Sequence, residues 1–242
     1  MAKVSKRYKI IFSIRFFGYL LIIGGLISFT FMLGPLGVAE VKYRTDKVLG
    51  VKRTVANVVP TPVPSNNEAT PNTKINDQAE KEALKNKQSF SSNQIVPVST
   101  EFGIVIEKIN ANARVIPAVN PGNEKEYSLA LQEGVAEALG STPPGQPGNL
   151  YIFSHSTDAP WNIVRYNAIF YLLRELEKGD RIVIFYANKR FDYVVFEKLV
   201  ASPTDVSYLK NRYDIPVLTL QTCDPPGTLL NRLIVRARLV SS

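Results

Sequence analysis

The chain has 242 residues, 45% of them hydrophobic and 21% charged, a balance that excludes an intrinsically disordered protein; 14 Gly and 16 Pro exclude a collagen-like fibre. Its net charge of +8 divides into +5 in residues 1–15, +3 in 40–95 and none in 96–242. Residues 1–15 carry five Lys/Arg and no acid, whereas residues 96–242 carry fifteen of each sign, so the larger part lacks the footprint of a nucleic-acid binder and nucleic acid is excluded as a partner.

The first predicted element is a membrane anchor. Phe16 to Ala39 are 24 consecutive uncharged residues, and a bilayer core of ~30 Å needs roughly 20 as a helix. Lys3, Lys6, Arg7, Lys9 and Arg15 all precede it, which places the N-terminus in the cytoplasm. The rival is a cleaved signal peptide with a site near Gly37–Ala39. Its apolar region should span only about 7–15 residues, so the uncleaved single-pass anchor in the cell membrane is preferred; both readings export the rest. The resulting division is a cytoplasmic tail (1–15), an anchor (16–39), an extracytoplasmic linker or tether (40–95) and a compact domain (96–242). In the linker, Val58 to Asn67 is Pro- and Asn-rich and reads as extended. Ala79 to Lys85 can form only a short helix with little apolar face.

The domain reads as mainly β. Phe102–Ile109 and Arg114–Val119 are strand-like, and Tyr127 to Gly134 suggests a short helix closed by its glycine. Thr142–Gly148 is a turn-rich loop leading into the strand Asn149–Phe153. Ile163–Glu177 has helical spacing and stops at Gly179. Arg181–Tyr186 and Arg190–Val200 form a hairpin about Ala187–Lys189. Pro216–Cys223 and Arg232–Val240 complete a set of around eight strands, which predicts a closed or nearly closed β-barrel with short helices.

The chain has one Cys, Cys223, and one His, His155, so no intrachain disulfide exists. Alternation puts Leu218 and Leu220 in the core and Val217, Thr219, Gln221 and Cys223 on the opposite face, at a strand end stopped by Asp224-Pro225-Pro226-Gly227. If the strands flanking Asp224–Asn231 pair antiparallel, Arg232 lies beside Cys223 at one rim; Ile234, Arg236 and Arg238 share its face, and only rim position singles it out. His155 also follows a strand. Each residue alone has an ordinary reading: a buried inert thiol or one paired with another chain, a surface or hydrogen-bonded structural imidazole, a solvated arginine. Together they are chemically complete for attack on an amide: a thiolate nucleophile, an imidazole acid/base and a guanidinium for the oxyanion.

These residues resemble the sortase family of membrane-anchored cysteine transpeptidases, over roughly Phe102 to Val240. Leu218-Thr219-Leu220-Gln221-Thr222-Cys223 with the following Arg232-Leu233-Ile234-Val235 is similar to the family's Thr-Leu-x-Thr-Cys strand and arginine. Pro144-Gly145-Gln146-Pro147-Gly148-Asn149 leading to His155 is similar to its Pro-Gly-x-x-Gly-Asn segment, and Phe170, Leu173, Leu176, Gly179 and Asp180 fit the family's segment after the histidine. Ser154 departs from the family's frequent glycine. The resemblance implies a closed eight-stranded sortase-like β-barrel with Cys223 as nucleophile, His155 as acid/base and Arg232 as stabiliser. It implies secreted protein substrates with a C-terminal sorting motif, and an amine acceptor from a cell-wall precursor or a pilin lysine. A chain that stops two residues after Val240 leaves no room for a C-terminal membrane helix, which disfavours the pilin polymerases that carry one. No acidic cluster has calcium-loop spacing, so no metal is expected; no cofactor is expected either. Trp161 either lines a groove or packs a loop. A cysteine endopeptidase using the same Cys/His pair, a non-catalytic membrane-tethered β-barrel binding module and a structural cell-wall tether remain alternatives.

Overall fold

The first element, α1, is one continuous helix, Lys6–Val48, longer at both ends than the uncharged run. Its segment Ile11–Ser28 is long and apolar enough to cross a membrane, and none of it is buried against the rest of the chain. This computed structural model describes residues 6–56, 93–155 and 169–241. Val58–Asn67, Ala79–Lys85, Trp161 and the first part of the expected helix, 163–168, lie outside them.

Strand β1 (Thr54–Val55) pairs in parallel with β2 (Gln94–Ile95), and Val55 and Ile95 pack with Val105, Val183 and Phe185 on the outside of the barrel.

The barrel comprises β3 (Phe102–Ile106), β4 (Ala111–Val119), β5 (Val135–Ala138), β6 (Gly148–Phe153), β7 (Arg181–Tyr186), β8 (Lys189–Ala201), β9 (Pro216–Asp224) and β10 (Asn231–Ser241). They close in the order β10-β8-β7-β3-β4-β5-β6-β9. β4/β5 and β6/β9 are parallel and the other pairs antiparallel.

Two elements correct the sequence reading. The run from Phe102 leaves the sheet at Ile106, and Glu107–Ile109 form a 3-10 turn ended by Asn110 at φ 52°; asparagine is among the few residues that tolerate this left-handed conformation. The described part of the expected helix before Gly179 contains only a 3-10 turn, Leu173–Glu175. Phe170, Leu172, Leu173 and Leu176 are all buried in the barrel interior, so this segment plugs the barrel mouth, where a regular helix would bury one stripe and expose the other. The short helix before Gly134 is present as α2 (Glu124–Glu133), and a four-residue helix, α3 (Ser207–Lys210), lies between β8 and β9.

Alternation then sorts the strands into an inside and an outside. Leu150, Ile152, Leu218, Leu220, Leu233 and Val235 point inward. On the outside, Tyr151 and Phe153 of β6 join Val119, Ala130, Leu131, Ala136 and Ala138 beneath α2, with Tyr208 and Leu209 of α3 packed against them. β6 is therefore buried on both faces.

Candidate active site

Because β6 and β9 run parallel, their C-terminal ends reach the same rim, and β10, antiparallel to β9, starts there. Cys223 at the end of β9 and Arg232 at the start of β10 are direct Cα partners. β6 and β9 are in register through Phe153 opposite Gln221. The pairing continues past the strand: the Ser154 amide donates to the Gln221 carbonyl at 3.1 Å, and the buried Thr222 hydroxyl donates to the Ser154 carbonyl at 3.0 Å. One more step along this register sets His155 level with Cys223, on the outward face. All three residues are half-buried. The structure thus brings the three predicted residues to one outer edge of the barrel, and Ser154 is part of the hydrogen bonding that holds the strand ends together.

The bed beneath them was not apparent from the sequence. Tyr151 donates a hydrogen bond from its phenol to Gln221 Oε1. Burial raises the Tyr151 pKa; the nearby Arg232 guanidinium opposes this and Asp205 adds to it, and the net direction is upward, so the phenol stays protonated and remains a donor. One layer deeper, Thr219 Oγ1 donates to Asn149 Oδ1 at 2.8 Å, while Asn149 Nδ2 donates to the Tyr208 carbonyl at 2.9 Å. Both side chains are fully enclosed, where an unmet polar group costs about 1–3 kcal/mol. Asn149 therefore ties β6, β9 and the segment carrying α3 into one unit.

This explains the glycines before Asn149. Gly145 sits at φ +84° and a Cβ there would overlap the Phe191 ring; Gly148 sits at φ +136° and a Cβ would collide with the Thr142 side chain. Both backbones occupy conformations that favour glycine, and the loop they permit starts β6 in the register that ends at His155.

α2 supplies a lateral wall. Its N-cap Asn123 accepts from the Glu126 amide at 3.4 Å, which meets one orphan donor of the first turn, and Glu126 Oε1 accepts from the Asn120 amide at 2.8 Å, which ties the preceding loop to the helix. Tyr127, one residue on, meets the Phe153 ring edge-on at 6.3 Å between centroids and the His155 ring at 6.5 Å. Arg232 Nη1 donates to the carbonyls of Asn231 at 3.2 Å and Leu229 at 3.5 Å, which holds the guanidinium at the mouth of the β9–β10 loop.

Arg236 and Arg238 sit on the same face of β10 but not in the same setting. Arg238 is exposed. Arg236 bonds Glu197 at 2.6 Å and lies between the Phe196 and Tyr213 rings, 4.9 and 4.8 Å from their centroids. Among the described residues no group of three or more His, Cys, Asp or Glu is placed to hold a metal ion. The parts assembled at this rim are those of acyl transfer through a thioester.

Comparison with known proteins agrees with this fold. The family model described as the sortase domain matches residues 104–240. Among solved structures, sortase C-1 from Actinomyces oris is 22% identical, with 73% of this chain and 91% of that chain covered at a TM-score of 0.50. A Clostridium perfringens sortase D5 transpeptidase is 24% identical, with 68% and 91% covered and a TM-score of 0.47. Sortase C from Clostridium perfringens, solved with the C-terminal cell wall sorting motif, is 24% identical, with 58% and 70% covered and a TM-score of 0.48. A search of curated proteins finds no match. Since the family model spans more than half of the chain, and the eight strands close in one mixed barrel, the chain belongs to the sortase family of cysteine transpeptidases.

Proposed function

We propose that this protein is a membrane-anchored sortase that cleaves a C-terminal sorting signal of secreted proteins and passes the new acyl end to an amine. The observation that carries this reading is the ladder that pairs Cys223 with Arg232, on the strand whose other neighbour delivers His155. The Cys223 thiolate attacks the scissile carbonyl and forms a C–S bond. Arg232 donates to the oxygen as negative charge develops on it. His155, as imidazolium, gives its proton to the departing amine as the C–N bond breaks, which leaves a thioester on Cys223. The acceptor amine, from a cell-wall precursor or a pilin lysine, then attacks this thioester. It loses a proton to His155, and the thiolate leaves.

The apolar stretch of α1 and the five basic residues before the uncharged run support a single-pass anchor with the N-terminus in the cytoplasm. The barrel then lies outside, where sorting signals emerge.

The test is product analysis with sorting-signal peptides, with and without an added amine. The parent should form amide product in preference to acid when amine is present. Cys223→Ala should abolish turnover and thiol labelling; His155→Ala should keep the thiol and lose turnover by several orders of magnitude. Acid product alone at every amine concentration would mark an endopeptidase. Near-normal transpeptidation by His155→Ala would remove the histidine from the mechanism.

A further inference from the structure

The anchor and the catalytic site occupy the same rim of the barrel. α1 is uninterrupted from Lys6 to Val48, and its uncharged run ends at Ala39. The next residue, Glu40, already pairs with Arg174 at 3.5 Å. One turn on, Tyr43 packs against the core cluster of the barrel, and Asp46 pairs with Arg53 at 2.5 Å. Among the described residues, the helix that carries the apolar run itself reaches the barrel. Even if the bilayer holds only Ile11–Ser28, the twelve residues from Ser28 to Glu40 span about 18 Å as helix.

The strand register shows where this helix lands. Arg174 belongs to the segment that enters β7, and the start of β7 lies beside the end of β3, with Ile182 opposite Ile106. On the same rim the end of β8 meets the start of β10, Ala201 opposite Arg232, and Arg232 in turn meets Cys223. In strand order β3 and β7 stand across the barrel from β6 and β9. So α1 and the catalytic edge are two sides of one end of the barrel.

That end also carries the turn joining Cys223 to Arg232. Its Leu229 and Leu230 are 75% and 67% exposed, more than any other large apolar side chain among the described residues 93–241. The turn at the opposite end, Ala187-Asn188-Lys189, has no such pair. Two leucines held out in water are unfavourable, and at a lipid interface the same surface gains by burial.

We infer that the barrel rests its catalytic rim on the lipid surface, with Leu229 and Leu230 of the β9–β10 turn dipping into the outer interface; the inference rests on the membrane anchoring proposed above. It would set Cys223 in the layer where a chain joined to a membrane-held tail leaves the bilayer. The anchor then fixes the height and tilt of the active site as well as tethering it.

Depth-dependent quenching in the full chain tests this. Leu229→Cys or Leu230→Cys, in a Cys223→Ser background, is labelled with an environment-sensitive fluorophore, and the chain is reconstituted into vesicles doped with nitroxide lipids. Leu20→Cys reports the anchor and Asn188→Cys the far rim. Loss of emission at 20, 229 and 230 with emission kept at 188 is the expected result. Loss at 20 alone would overturn the inference and leave the anchor intact. Emission kept at 20 would remove the anchor, and the inference with it. A response at 229 and 230 only when a sorting-signal protein is added would assign the leucines to a protein contact and overturn the lipid reading.

Discussion

Cys223 and Arg232 face each other across the β9–β10 ladder, and no other residue of β10 shares that relationship with the thiol. A guanidinium offers fixed parallel donors, whereas lysine offers a mobile point charge. Losing one oxyanion donor costs roughly 10²–10³ in turnover. Arg232→Ala should therefore lose about a hundredfold or more in kcat, and Arg232→Lys at least about tenfold. Its guanidinium contacts the backbone of its own loop, so the melting temperature should change little. Arg238 is the control on the same face: six residues further on, it lies about 20 Å along the strand. Arg238→Ala should stay within a few-fold of the parent. Full activity in Arg232→Ala would detach the guanidinium from the chemistry.

Arg236 is no such control. Its guanidinium lies between the rings of Phe196 and Tyr213 and bonds Glu197. Alternation puts it on one face with Arg232, but the packing makes it a clamp between β10, β8 and the segment that carries α3. Each cation–π contact contributes about 0.5–2 kcal/mol according to its desolvation. Arg236→Ala should destabilise the fold by about 1–3 kcal/mol, seen as a lower denaturation midpoint, and kcat of the folded fraction should be largely kept. An unchanged midpoint would show that the ring sandwich contributes nothing.

Glu137 on β5 gives a pH dependence of stability. Burial raises its pKa above the ordinary 4.5, and a hydrogen bond from the Ala118 amide at 3.1 Å only partly offsets this. The unfolded chain thus releases this proton at lower pH than the folded one. For a carboxyl raised by folding, stability falls as pH rises from the unfolded pKa through the folded one. Glu137→Gln keeps an oxygen acceptor for Ala118 and removes the charge. At neutral pH the variant should melt at or above the parent, and the difference should shrink below about pH 4, where the glutamate is protonated in both states. A lower melting temperature at pH 7 would show that the ionised form is the one the fold prefers.

Period-two alternation in β9 was enough to place Cys223 outward, because Leu218 and Leu220 flank a clear polar phase. It failed on β6. All six residues are buried there, since α2 and α3 cover the outside of the strand, and hydrophobicity alone cannot tell which of Tyr151 and Ile152 faces the barrel interior. The Tyr151–Gln221 pair was hidden for that reason. β5 was missed because Val135 to Ala138 is a four-residue strand directly behind a helix, with Gly134 as the only break. β1 and β2 have two residues each, too few for any period, and their pairing depends on chain segments some forty positions apart. The pairing of Cys223 with Arg232 was legible because eight intervening residues rich in Pro and Gly close an antiparallel turn.

Tyr127 gives the sharpest test of how His155 is oriented. The imidazole follows the last residue of β6 by two positions, beyond the strand's own ladder, so its backbone alone does not fix the ring. Tyr127, on a helix whose first turn is capped by Asn123, meets both Phe153 and His155 edge-on. Such ring pairs contribute about 0.5–1.5 kcal/mol, which corresponds to roughly a twofold to tenfold change in the population of one ring orientation. With His155 as the proposed acid/base, Tyr127 would act as a positioning residue, and Tyr127→Ala should lower kcat by that factor. KM should change less, and alkylation of Cys223 at high pH should be unaffected. Tyr127→Phe keeps the ring and should restore most of the rate. If Tyr127→Phe is as slow as Tyr127→Ala, the phenol hydroxyl is what His155 requires. If neither variant changes kcat, α2 serves only to cover β6.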